Sequence, residues 1–141
     1  MLPGRARRSK LAPVTGKAGD EAGRGRAAQA RGVDAEDAAA AALERDGWIV
    51  LARRLRTGAG ELDLVVERDG LLAVVEVKAR ATLSDAAWAL GARQRARLLA
   101  AAEAALAANP GWGRAGVRFD VVLVDAAGRV RRVVDAFRSE G

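Results

Sequence analysis

The tightest constraint on this chain is the dipeptide Asp69-Gly70, set between two runs of strand-forming residues, Glu61 to Arg68 and Leu71 to Lys78. Asp-Gly at such a place specifies a two-residue hairpin, because both turn residues must take positive φ. The short turn also sets the register. Arg68 then falls opposite Leu71, Asp63 opposite Glu76, and Glu61 opposite Lys78. Side chains alternate between the faces of a strand. Glu61, Asp63, Glu76 and Lys78 are therefore expected on one face, at the open end of the hairpin. Leu62, Leu64, Val66, Ala73, Val75 and Val77 are expected on the other. A β-bulge would shift this pattern by one residue.

Two carboxylates placed directly opposite repel one another unless something neutralises them. The composition narrows what that can be. The chain has no His and no Cys, so it has no imidazole base, no Ser–His pair and no thiolate. Tyr is absent too. Any chemistry must come from Asp, Glu, Lys, Arg, Ser or Thr. Carboxylate oxygens suit hard cations, so Mg²⁺ or Mn²⁺ is the expected cofactor. Lys78 adds a second positive group and is the only lysine beyond residue 31 in an Arg-rich chain. Unlike Arg, it offers a compact charge that can release its proton. The plain alternative is a surface hairpin with a Glu–Lys ion pair. Against it, Leu71 to Val75 are apolar on both faces, as in a central strand.

The net charge of +6 is unevenly spread. Residues 1–31 hold eight Lys or Arg against two acids, while the rest of the chain is balanced. Residues 1–31 show no hydrophobic period and read as a disordered basic arm, either a nucleic-acid tail or an extension without function. Residues 32–141 read as one domain. Asp34 is a plausible N-cap for an Ala-rich helix to Arg45, closed by Asp46-Gly47. A strand is expected over Trp48 to Leu55, a loop over Thr57 to Gly60, and a long helix over Ala86 to Ala108. Two more strands are expected over Val117 to Val124 and Val130 to Val134. The order α-β-β-β-α-β-β gives an α/β fold, a mixed sheet of about five strands flanked by helices. No apolar run is long enough to span a bilayer, and no secretory signal is visible, so a cytoplasmic protein without membrane contact is expected.

Asp63 followed by Glu76-Val77-Lys78 resembles the signature of the restriction-endonuclease-like PD-(D/E)xK superfamily. The wider pattern resembles the YraN family of small bacterial proteins of uncertain function, over about residues 32 to 135. It comprises Glu36, Gly47-Trp48, Gly60-Glu61-Leu62-Asp63-Leu64, Val74-Val75-Glu76-Val77-Lys78-Ala79-Arg80 and Arg118-Phe119-Asp120-Val121-Val122. That family is similar in fold and motif order to archaeal Holliday-junction resolvases. The resemblance implies a three-layer α/β core with its carboxylates on the hairpin strands. It implies Asp63 and Glu76 as Mg²⁺ ligands with the Val77 carbonyl as a third, Lys78 orienting or deprotonating the attacking water, and Glu36 as an outer acid. Leu62 stands where the superfamily has Pro, and Gln94 where the family's long helix usually carries a site-facing Lys.

Arg53, Arg54, Arg56, Arg80, Gln94 and Arg95, with Arg93 and Arg97 beside them, are candidate nucleic-acid contacts. Each single Arg has a solvated surface as its alternative. Trp88 and Trp112 read as core or helix anchors rather than base-stacking platforms, and Thr82 and Ser84 as helix caps. Asp120 reads as a buried partner of an Arg, not as a catalytic group. The favoured function is a Mg-dependent nuclease acting on nucleic acid, DNA before RNA, on branched or irregular structures and with a homodimer as one arrangement. The alternatives are a nucleic-acid-binding module with little catalysis and a protein-interaction scaffold.

Overall fold

A computed structural model describes residues 34–138, so the expected arm over residues 1–31 lies outside them. The elements are α1 (Ala35–Arg45), β1 (Ile49–Thr57), β2 (Gly60–Arg68), β3 (Leu71–Ala79), a short 3-10 turn (Asp85–Trp88), α2 (Ala92–Ala108), β4 (Gly116–Val124) and β5 (Val130–Phe137). The five strands form one sheet in sequence order. Only β3 and β4 run parallel; the other neighbours are antiparallel. A parallel pair needs a long crossover, and α2 supplies it. The α-β-β-β-α-β-β order and the three-layer α/β core are as expected.

Each helix covers one face of the sheet. On one side, Ala39, Ala40 and Leu43 of α1 pack with Trp48, Leu64, Val66, Ala73, Val75, Val122 and Val124. On the other, Leu98, Ala101, Ala102 and Ala105 of α2 pack with Leu62, Val65, Leu72, Val74, Phe119, Val121 and Leu123. The small Ala faces let both helices approach the sheet closely. Since β3 and β4 are apolar on both faces, they take the centre of the sheet.

Asp34 caps α1 as expected, its Oδ1 accepting the Asp37 N–H at 3.1 Å. Replacing it by Ala removes that acceptor, and Asp34→Ala is expected to cost about 1 kcal/mol in urea denaturation. An unchanged urea midpoint would mean that the cap contributes nothing.

The single helix expected over Ala86 to Ala108 is corrected to two pieces. A 3-10 turn ends at Trp88, Ala89 is extended (φ −58°, ψ 138°), and α2 starts after Gly91. Ser84 precedes that turn but makes no side-chain cap; its hydroxyl accepts from Thr82 instead. Trp88 and Trp112 pack half-buried against the α2-side core, which fits the anchor reading.

Candidate functional site

The Asp69-Gly70 hairpin holds the expected register from Arg68–Leu71 through Leu64–Val75. There the ladder stops, so Asp63 and Glu76 are not a ladder pair and Glu61 does not face Lys78. Val77 N–H instead donates to Oδ2 of Asp63 at 2.8 Å. The same level is irregular in β1, where Arg54 takes a left-handed φ of 52°. Arg54 and Asp63 are passed over between the pairs Arg53–Leu64 and Leu55–Leu62. As a result Leu62 packs on the α2 side while Leu64 packs on the α1 side. Strict alternation would have put them together, so the expected face assignment of Leu62 is corrected. A side chain between two such neighbours lies along the sheet, which is how the Asp63 carboxylate reaches the β3 backbone.

The irregularity sets Asp63 between Glu76 of β3 and Glu36 of α1, each close enough to act on it. Glu76, half-buried on β3, accepts from Gln94 Nε2 of α2 at 2.8 Å through Oε2. Asp63, which accepts from the Val77 N–H, lies close enough to Glu76 to feel its charge. Burial, then the Glu76 charge, push the Asp63 carboxyl up to about 7, against the pull of the Val77 N–H. Glu36 in the first turn of α1 is also raised, first by burial and further by Asp63, although the Arg54 guanidinium pulls it down. Lys78 lies half-buried two residues beyond Glu76, on the same α2-facing side of β3. Among the described residues it forms no ion pair.

Gln94 thus faces the acidic pair, where the family resemblance put a site-facing residue. The arginines divide. Arg53 pairs with Asp37 at 2.6 Å, and Arg54 Nε with Glu36 at 2.9 Å. Both are committed to α1 and do not present free cations. The expected placement of Glu61 opposite Lys78 is corrected as well. Glu61 pairs with Arg56 across the β1–β2 hairpin at 4.0 Å. Arg95 donates to the Leu90 carbonyl at 2.6 Å and borders a cavity formed with Trp88, Ala136 and Phe137, away from Glu76. Arg80 is exposed just past β3 and free of acids among the described residues.

Reading the sequence missed Asp37 as the acid that holds Arg53. It also missed Gly60, whose φ of +146° and lack of a side chain make room for the Arg97 stem. The Gly-Ala-Gly loop was the visible sign of a close approach.

The donor set suits a hard divalent cation. No three Asp or Glu among the described residues converge as a complete cage. Mg²⁺ does not require one, since it keeps several waters and takes one or two carboxylates plus phosphate oxygens. In a strand, the N–H and C=O of one residue face the same edge. With its N–H on Asp63, Val77 therefore turns its carbonyl towards the same gap.

A mixed five-stranded sheet between two helix layers, with an acidic pair and a lysine at the ends of its second and third strands, is consistent with the restriction-endonuclease-like class. The chain belongs to the uncharacterised protein family UPF0102, whose model matches residues 35–124, and this is the YraN-type family that its motifs resemble. It is 63% identical over 115 residues to a UPF0102 protein of Granulibacter bethesdensis, covering 82% of this chain and 73% of the relative. A UPF0102 protein of Azorhizobium caulinodans is 51% identical over 118 residues (84% and 90%), and one of Acidiphilium cryptum is 51% identical over 115 (82% and 89%). No described helix is long and apolar enough to cross a membrane.

Proposed function

We propose that this protein is a Mg²⁺- or Mn²⁺-dependent nuclease that hydrolyses phosphodiester bonds in DNA. The observation that carries this reading is the Asp63–Glu76 pair. The fold interrupts a strand ladder to hold two acids together, half-buried, with one pushed up to about 7. Like charges held in this way await a proton or a cation. Asp63, Glu76 and the Val77 carbonyl would hold the cation. When bound, it lowers the pKa of a water and offsets the charge that builds on the phosphoryl oxygens. Gln94 fixes the orientation of Glu76. Lys78, on the same side of β3 as Glu76, orients the attacking water or takes its proton. Glu36, paired with Arg54, would act as an outer acid near Asp63 without a direct ligand role.

Calorimetric titration of Mg²⁺ or Mn²⁺, followed by incubation with labelled linear, flapped and four-way-junction DNA, tests the reading. Metal binding and cleavage by the wild type are expected. Asp63→Asn/Glu76→Gln is expected to lose both, with a rate loss on the order of 10³-fold, and Lys78→Ala to lose about 10²-fold. Metal binding without cleavage of any DNA would favour a binding module. No metal binding in the wild type would refute the site.

A further inference from the structure

The two sides of the sheet end that carries Asp63 and Glu76 differ in charge. On the α1 side, Asp34, Glu36 and Asp37 cluster in and before the first helical turn, and both nearby arginines, Arg53 and Arg54, are consumed by Glu36 and Asp37. On the α2 side stands Glu76, whose Oε2 is already engaged by Gln94. Around it stand Lys78, Arg80, Arg93 and Arg97, none in an ion pair among the described residues. Their placement follows from the backbone. Glu76 and Lys78 alternate onto one face at the end of β3, and Arg80 follows just past it. The Arg97 stem lies across Gly60, where an added Cβ would come within 3.2 Å of its Cγ. Arg93 precedes Arg97 by four residues, so the two share one helix face. Arg80, Arg93 and Arg97 are all exposed.

We propose that a polynucleotide strand approaches the acidic pair from the α2 side, its phosphates held by a cationic ridge of Arg97, Arg93 and Arg80 that runs from the β1–β2 hairpin tip to the end of β3. This rests on the nuclease reading for what the acids do, but the ridge is a binding surface in its own right. The acidic α1 side repels a polyanion, and the ridge fixes which face of the sheet end it meets. Backbone phosphates are the recognised chemistry, so affinity depends on salt rather than on base sequence.

The test is fluorescence anisotropy of the full chain with labelled duplex DNA, in Ca²⁺, across a salt series. Arg93→Ala/Arg97→Ala is compared with Arg45→Ala/Arg114→Ala. The second pair removes the same charge at the opposite end of the sheet, where α1 ends and β3 begins beside Gly116. The ridge variant is expected to bind about ten-fold more weakly and to lower the salt slope by about 2, while the control stays within about two-fold of wild type. Equal weakening of both variants, unchanged binding by the ridge variant, or no binding by the wild type would overturn the proposal. Selective weakening in a protein that cleaves nothing would uphold the ridge while the nuclease reading fails.

Discussion

At pH 8 without divalent cations, the Asp63→Asn protein is expected to melt about 10 °C above the wild type. The folded chain pushes the Asp63 carboxyl up to about 7, whereas an unfolded Asp titrates near ~3.9. A raised acid binds its proton more tightly when folded. Stability is therefore undiminished below about pH 4, falls as pH rises between these values, and stays reduced above about 7. A full shift of that size would correspond to about 4 kcal/mol. The side chain is only half-buried and partly hydrated, so about 2 kcal/mol is the expected penalty. Asn keeps an acceptor for the Val77 N–H and removes the charge. The advantage of the variant should be near zero at pH 4 and grow to a plateau above pH 7. Millimolar Mg²⁺ should raise the wild type and leave the variant unmoved, since a ligand stabilises only the form that binds it. Equal melting temperatures at pH 8 would show that Asp63 carries no electrostatic penalty.

This penalty is also where the sequence stopped being readable. Asp69-Gly70 set the hairpin register correctly for five pairs, because turn chemistry is local. The apolar runs over β3 and β4 placed them centrally, since burial on both faces leaves no polar alternation. The left-handed Arg54 left no mark, because nothing in Arg-Arg-Leu-Arg announces a positive φ. It is a tertiary outcome: Glu36 and Asp37 on α1 draw Arg53 and Arg54 to the same side. That one residue decides which face Leu62 takes and which arginines stay free. The acids of the site were legible as types in a pattern. Their convergence, and the sorting of the arginines, required the packed structure. Likewise Gly91 could be read as tolerable within a long Ala-rich helix, yet it marks where the chain turns from the 3-10 segment into α2.

Asp120→Ala is expected to cost about 3–5 kcal/mol, the largest loss of stability from any single polar side chain among the described residues. The Asp120 side chain is 1% exposed. Its two oxygens each accept from Arg118, at 2.9 Å from Nε and 2.9 Å from the terminal nitrogen. Residues two apart on a strand share a face, so the pair is preorganised. Oδ1 also accepts the N–H of Asp135 at 2.9 Å, where β5 bulges with a left-handed φ of 57°. Truncation leaves that N–H without its acceptor and a half-buried guanidinium without its counter-charge, 5.3 Å from the Trp48 ring. It also frees the bulge that aligns Phe137 for stacking on Phe119, at 4.8 Å between ring centroids. Asp120→Asn keeps the acceptor for Asp135 and loses only the charge, so it should fall between Ala and wild type. Urea midpoints at pH 7 order the three proteins. A midpoint for Asp120→Ala close to wild type would mean that the β5 bulge is held by apolar packing alone. The expected order would instead make this ion pair the element that fixes the edge strand of the sheet.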